Sequence, residues 1–409
     1  MKGFGDQFKN INKKSSKNKS SQEQIINQAI QLHLKGNITE AVKFYKYCIN
    51  QGFNDHRIFV NYAVILQKFG KLQEAELSLR KVIEMKPDFV EAHFNLGSIL
   101  SILGKLHEAE LSLTKAIELN PKNKSIKSKL ISLLTIYKPQ VISSNQLYII
   151  NEEFRNIGLI KKKNSVITDQ EAIKLYKDGL KIYKKYNLDL ETSLSQVYKR
   201  NEKSLNCKRH KLIFKQEKII PEFCFSCYKV QVEVDSIIEL IKLYLVFNTL
   251  ELENNNTRKC IIELRNNISG FYKGLIYCLG LTEALEISER LNLNLQNNIR
   301  VDLISKVKRG CSEYPLEFPE YEKINISGNQ PMSYDKKWRS IEKKIDEGNK
   351  DWGKAKKTIE GYNLNDFLIM RNWIAYAQKI EDQSVNKITN EQIKIHKSLK
   401  FSSRNFNFK

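Results

Sequence analysis

The sequence lacks any apolar run long enough to cross a bilayer. A transmembrane helix needs about 20 consecutive apolar residues, whereas the longest candidate, IIELIKLYLVF, is short and carries Lys242. The amino-terminal segment has no apolar signal-peptide core, so we do not expect export. Seven cysteines, an odd number in 409 residues, fit reduced thiols or metal ligands better than a disulfide framework. We therefore expect a cytoplasmic protein without a membrane segment.

Several motifs that mark common catalytic sites are also missing. The sequence has no G-x-x-x-x-G-K-[ST], no G-x-G-x-x-G after a strand, no G-x-S-x-G and no H-E-x-x-H. These absences exclude a P-loop, a standard dinucleotide fold, a nucleophile elbow and a zincin site. Six histidines leave few candidates for a general base. A non-catalytic role is the leading hypothesis, and an enzyme of unrecognised family is the second.

Positive charge, in contrast, is in excess. Lysine and arginine number 68 against 46 acidic residues, which gives a formal net charge of +22. Such a balance is typical of proteins that bind nucleic acid. The lysines are spread over the whole chain, however, and the abundance of Lys, Asn and Ile is typical of an AT-rich coding genome. We interpret the charge as a solvated basic surface and do not favour nucleic acid as a partner.

A 34-residue repeat follows a polar, basic tail, residues 1–21, that we expect to be disordered. Three units, 22–55, 56–89 and 90–123, align without gaps. Small residues recur in three registers: Gly36, Gly70 and Gly104; Ala41, Ala75 and Ala109; Ala29, Ala63 and Gly97. Each unit predicts two amphipathic helices joined at its central glycine, which supplies a left-handed turn.

The stretch VEAHFNLGSILSILGKLHEAELSLTKAIELNP, residues 90–121, resembles the tetratricopeptide repeat family almost position by position. Pro87 and Pro121 close the second and third units as in that family, while His93 stands where an aromatic residue is usual. Residues 124–137 resemble the extra helix that caps the last exposed apolar face of such an array. The resemblance therefore implies an α-solenoid over residues 22–137, with three units as the practical minimum for stability.

The resemblance also implies a concave groove, lined by the first helix of each unit, that binds an extended or helical segment of another protein. The groove candidates are Ile26, Asn27, Ile30, Val60, Asn61, Val64, Phe94, Asn95 and Ser98. The three asparagines share one register, and their amides are suited to hold a peptide backbone. Some family members clamp a terminal carboxylate with basic residues, but apolar residues occupy several of those places here. Packing between repeats is the alternative role for each apolar candidate.

The pattern changes after the repeats. Residues 138–200 predict a connector and a helical hairpin, and residues 201–316 predict an α+β domain. The order strand, helix, strand, strand, helix, strand in that domain is the βαββαβ arrangement of ferredoxin-like folds. Residues 317–409 predict flanking helices, which cover a neighbouring domain, and a loosely ordered tail.

The same order of elements underlies the RNA-recognition motif. That motif needs aromatic side chains on the exposed sheet face, where bases stack. Tyr228 and Tyr277 are the candidates, but Leu275 occupies a position where that family has an aromatic residue. RNA binding by this sheet is our third hypothesis.

Two short cysteine motifs predict a metal site. Cys207-x-x-His210 and Cys224-x-x-Cys227 are separated by thirteen residues, a usual distance in zinc ribbons and knuckles. They predict one structural zinc as the protein's cofactor. A redox pair fits less well because a strand is predicted after Cys227, and four independent residues with packed thiols are the remaining alternative. Cys311 is a candidate for an exposed reactive thiol.

Overall fold

The computed structural model describes residues 15–139, 145–158, 166–265, 268–348 and 356–400. The chain forms two compact units, one made of the described residues up to Lys122 and one of those from Asn123 onward. None of the helices in these described segments is long and apolar enough to span a membrane.

The first unit consists of helices in successive antiparallel pairs. These are α1 Ser15–Leu34, α2 Ile38–Asn50, α3 His56–Lys68, α4 Leu72–Met85, α5 Val90–Leu103 and α6 Leu106–Leu119. At the turns, Gly36, Gly70 and Gly104 adopt φ angles of 80°, 75° and 84°. Only glycine reaches this left-handed region without steric cost, so the predicted helix–turn–helix units of an α-solenoid are confirmed.

The start of α1 differs from the prediction. Helix α1 begins at Ser15, inside the segment predicted to be disordered, so that prediction is wrong from Ser15 onward. Residues 1–14 lie outside the described residues. The prediction placed the start of this helix too far along the chain because it was based on the polar composition of residues 1–21.

Charged side chains link successive repeats. Arg57 in the second unit pairs with Glu23 in the first, with an N–O distance of 2.7 Å. Glu76, which is only 5% exposed, binds Arg80 on its own helix and Lys105 of the third unit, both at 2.8 Å. The Glu23–Arg57 pair is largely exposed, and such pairs contribute only about 0–1 kcal/mol each. All of these contacts join neighbouring repeats and therefore favour one register between them.

The second unit mixes helices and strands. Its helices are α7 Lys124–Leu133, α8 Gln146–Asn156, α9 Asp169–Lys185, α10 Cys207–Glu217, α11 Ile237–Thr249, α12 Leu281–Asn298, α13 Trp338–Gly348, α14 Leu364–Lys379 and α15 Val385–Ile388. Its strands are β1 Gln196–Lys199, β2 Cys227–Val234, β3 Arg258–Ile262, β4 Tyr272–Leu279 and β5 Lys306–Arg309. Short 3-10 helices occupy Glu222–Phe225, Tyr314–Leu316 and Pro319–Glu322.

The strands form one antiparallel sheet in the order β1-β3-β4-β2-β5. Helix α11 packs closely on β4 because Gly274 has no side chain. A Cβ atom at that position would lie 2.6 Å from Leu243 and 2.8 Å from Phe247. The helix-facing side of β2 is apolar, as its buried valines show (Val230, Val232 and Val234).

Two expectations about the connecting region are corrected. The predicted second helix of the hairpin, up to residue 200, is absent from its place, and the edge strand Gln196–Lys199 is found there instead. Four residues are too few for periodicity to separate helix from strand, and pairing with β3 decides between them. The predicted connector contains Gln146–Asn156 as a helix.

Helix α7, predicted as a cap over 124–137, ends at Leu133 and clusters with the second unit, where it packs near α8 and α14.

Helix α14 lies in the core of the second unit. Phe367, Met370 and Trp373 are fully buried. The indole N–H of Trp373 donates to the carbonyl of Ser195 at 2.8 Å, just before β1. The sequence predicted a helix that covers a neighbouring domain. The structure places this helix in the core instead, as the burial of its polar residues also shows.

Candidate partner-binding groove and thiol cluster

The predicted groove residues lie on the first helix of each repeat, α1, α3 and α5. Several apolar members are only half-buried: Ile30, Val60, Val64 and Phe94. Ile26 and Ser98 are 4% and 9% exposed, so packing within the unit uses almost all of their surface. The half-buried residues leave apolar surface that a ligand could cover.

Two of the three groove asparagines, Asn27 and Asn61, already use their side-chain amides in hydrogen bonds within their own helices. Asn27 Nδ2 donates to Glu23 Oε1 at 3.2 Å, and Asn61 Nδ2 donates to the Arg57 carbonyl at 2.8 Å. Each amide retains a second N–H and an acceptor oxygen. A bound peptide backbone would therefore meet these remaining groups rather than whole free amides.

The charge of the repeats is nearly balanced. Residues 22–123 contain 12 lysines and arginines and 11 acidic residues, so the basic excess of the chain lies outside them. We therefore do not expect this unit to attract a highly charged ligand over long distances. Apolar contacts and backbone hydrogen bonds are the interactions that its groove offers.

The structure places the four predicted zinc ligands on three different elements. Cys207 is exposed at the first turn of α10, while the His210 ring stacks on Phe223 with 5.1 Å between ring centroids. Burial lowers the pKa of His210 to about 4. Cys224 lies in a 3-10 helix, and Cys227 begins β2. Within the described segments, no three His, Cys, Asp or Glu side chains are placed to hold a metal ion, so the zinc site stays a prediction.

Cys311 joins Cys224 in a small thiol cluster that the sequence motifs did not reveal. The Cys224 sulfur lies 3.3 Å from the Tyr314 hydroxyl, and Cys311 packs against both residues. A hydrogen bond from Cys224 lowers the pKa of Cys311, with help from Tyr314 and the nearby Lys229 ammonium. The same bond, together with burial, raises the pKa of Cys224. No short spacing links these two cysteines, so only the fold brings them together.

We expect iodoacetamide to alkylate Cys311 at least about tenfold faster than Cys224 at neutral pH, because the thiolate is the reactive form. Cys311 is partly exposed and its pKa is lowered, whereas Cys224 is 1% exposed. Peptide mapping by mass spectrometry over time measures both rates, with the buried Cys260 as an unreactive control. Equal alkylation rates at Cys311 and Cys224 would contradict this expectation, whereas near one zinc per chain, with Cys207, Cys224 and Cys227 equally protected, would support the zinc site.

The prediction that Tyr228 and Tyr277 both lie on the exposed face of the sheet, where bases would stack, is wrong. Tyr228 is 3% exposed and lies opposite Cys278, whereas Tyr277 lies opposite Lys229. Directly opposite residues share a face of a sheet and successive residues alternate, so the two tyrosines are on opposite faces. The Arg309 guanidinium lies 4.6 Å from the centre of the Tyr228 ring. Tyr228 is therefore not available to stack a base.

The tetratricopeptide repeat family matches this chain at residues 56–89 and 90–123. No curated protein matches the chain.

Similar solved structures include two tetratricopeptide repeat domains and a secretion chaperone. The Arabidopsis OM64 tetratricopeptide repeat domain is 22% identical, covering 28% of this chain and 94% of its own, with a TM-score of 0.27. The second such domain of human RPAP3, in complex with an HSP70 peptide, is 23% identical, covering 26% and 89%, with a TM-score of 0.25. The Yersinia enterocolitica secretion chaperone SycD, in complex with a YopD peptide, is 23% identical, covering 28% and 92%, with a TM-score of 0.26.

Proposed function

We propose that the tetratricopeptide repeats at residues 56–123, together with the unit before them, make this protein a scaffold or adaptor. In this proposal the groove of α1, α3 and α5 holds an extended or helical segment of another protein. The observation that carries it is the set of half-buried apolar side chains repeated in register. Ile30 and Val64 share one register, and Val60 and Phe94 share another.

The chemistry of the groove favours an apolar or amphipathic segment. The near balance of basic and acidic residues in 22–123 gives no strong preference for a charged ligand. A helix laid into an apolar groove is recognised through side chains at regular spacing, and an extended segment through its backbone. The remaining amide groups of Asn27 and Asn61 suit the second mode.

We expect Val64→Asp to weaken binding of a groove ligand at least about tenfold, because an unpaired carboxylate in an apolar contact loses hydration. Peptides are first selected from a displayed random library on the full-length protein. Fluorescence anisotropy then compares their affinity for the wild-type and variant chains.

Leu77→Asp is the matched control, since Leu77 is 68% exposed and lies on α4, a second helix of a repeat. Circular dichroism confirms that both variants keep their helices. Equal loss of binding in the two variants, or loss in Leu77→Asp alone, would place the ligand outside the groove.

We further infer that β2 to β5, with α11 and α12, form a ferredoxin-like βαββαβ unit that β1 extends at one edge. The strand order β3-β4-β2-β5 and the antiparallel pairing of every neighbour support this inference. Helix α11 packs on β3 and β4, and helix α12 packs on β2, β4 and β5, which also supports it.

The enzymatic alternative would be favoured by a cavity that joins His210 or Cys311 to converging polar groups. The cavity beside β1 and the more open depression at Arg309 and Tyr334 are lined by neither residue. Partner binding therefore remains the function that we propose.

A further inference from the structure

A cavity of about 120 Å³ lies in the second unit beside the edge strand β1. Strands β1 and β3, helix α11 and the start of α14 contribute its walls, and Lys199, Arg258, Tyr244, Glu360 and Asp366 are among the lining residues. A protein cavity of about 150 Å³ holds a benzene molecule. The space therefore suits a compact chemical group rather than a nucleotide or a peptide.

Two cationic residues lie opposite each other on neighbouring strands in the wall of this cavity. The register of β1 and β3 places Lys199 directly opposite Arg258. Arg258 is 2% exposed, and the Lys199 side chain is 17% exposed. Like charges directly opposite in a sheet destabilise it, and removal from water strengthens their repulsion. The fold thus holds a pair of cations in an unfavourable arrangement.

The contacts of this pair are mainly to neutral oxygens. Lys199 Nζ donates to the Asn248 carbonyl at 3.1 Å, and Arg258 donates to the Leu250 carbonyl at 2.7 Å. The Glu360 carboxylate is 3.9 Å from Lys199 and is itself 71% exposed, so water screens it. Burial lowers the pKa of Arg258 to about 10, and burial together with the charge of Arg258 lowers the pKa of Lys199.

The second carboxyl group of the lining does not neutralise the cations fully. Burial raises the pKa of Asp366 to about 7, so this group is substantially protonated at neutral pH. Its Oδ2 already accepts hydrogen bonds from Tyr244 at 3.0 Å and from Asn363 at 2.9 Å. Thr358, also in the lining, accepts the backbone N–H of Arg200 and keeps its own O–H to donate.

We propose that this cavity binds a compact oxyanion, the phosphate or carboxylate group of a small molecule, beside Lys199 and Arg258. Lys199 donates a charge-assisted hydrogen bond to the anion, and Arg258 supplies a buried positive charge behind it. The anion replaces the repulsion of the two cations with attraction to both. This role belongs to the second unit and is separate from partner binding by the repeats.

Thermal unfolding of the full-length protein tests the proposal with two probes, inorganic phosphate and succinate. Sodium chloride keeps the ionic strength equal in all samples, since salt alone screens surface charges. We expect one probe to raise the unfolding midpoint as its concentration increases, because a ligand that binds the folded state stabilises it. The probe that acts identifies phosphate or carboxylate as the preferred group.

Lys199→Gln separates binding from a merely structural role. Without ligand, this variant is expected to unfold at a higher temperature than the wild type, because the opposed cations are gone. Its apparent affinity for the active probe should fall roughly tenfold or more, the effect of losing one charge-assisted hydrogen bond. Lys203→Gln is the control, since Lys203 is exposed and does not line the cavity.

Three outcomes would overturn the proposal. The first is no midpoint shift with either probe at millimolar concentration. The second is an equal shift in wild type and Lys199→Gln, which would place the anion elsewhere. The third requires a short RNA as a further probe: a shift that only the RNA produces and that Lys199→Gln abolishes would assign the cations to nucleic acid instead of a small molecule.

Discussion

Gly97→Val is expected to destabilise the repeat array by about 3 kcal/mol, at the upper end of the usual effect of overpacking. A Cβ atom at this position would lie 2.7 Å from Leu113 Cγ and 3.2 Å from the Ala109 carbonyl oxygen. Helices α5 and α6 would have to separate to admit it. The better helix propensity of valine offsets only about 0.5 kcal/mol.

Urea unfolding combined with hydrogen exchange measures this effect, because exchange assigns the lost stability to residues 22–123 rather than to the second unit. Glu91→Val is the matched control, since Glu91 is exposed on the same helix. We expect the control to change the stability of the array by less than about 0.5 kcal/mol. Wild-type protection in Gly97→Val would mean that α5 and α6 do not pack as closely as described.

Asp366→Asn is expected to stabilise the second unit above pH 7, by up to about 4 kcal/mol at about 1.4 kcal/mol per pKa unit. Burial raises the pKa of Asp366 from 3.8 to about 7 in the folded protein. Between these two values the folded state binds more protons than the unfolded state, so stability falls as pH rises. The contribution is full below about pH 4 and is lost as pH rises through 7.

The asparagine variant removes this titration because it carries no charge, while its amide oxygen can still accept from Tyr244. Stability curves in urea from pH 4 to pH 8 give the difference between variant and wild type, which cancels the other carboxyl groups. Asp302→Asn is the control, since that side chain is 73% exposed. A difference that does not grow with pH would show that Asp366 has an ordinary pKa.

The repeat array could be predicted from the sequence because its signals are local and recur. Each central glycine, Gly36, Gly70 and Gly104, marks a turn within its own unit, and the small residue Gly97 marks a close approach within one helix pair. A periodic pattern of this kind needs no information from distant parts of the chain. The groove candidates followed from the same register, although their exposure did not.

The second unit was harder to predict because its contacts join residues far apart in the chain. The strand and helix segments from Cys227 to Arg309 were found from their periodicity, but the edge strand β1 was missed because pairing with β3 defines it. The cysteine spacing predicted a metal site, which stays a prediction, whereas the fold alone shows that His210 stacks on Phe223 and that Cys311 lies beside Cys224. Spacing states which residues are close in sequence, not where their side chains lie.

The sequence by itself thus determined the repeat scaffold, the faces of its helices and the order of elements in the second unit. Only the tertiary structure decided which side of the sheet holds Tyr228 and which holds Tyr277, and that Lys199 lies opposite Arg258. The physical reason is that local propensity and periodicity act over one or two turns of chain. Strand register and burial, in contrast, are set by contacts between segments that the chain brings together only when it folds.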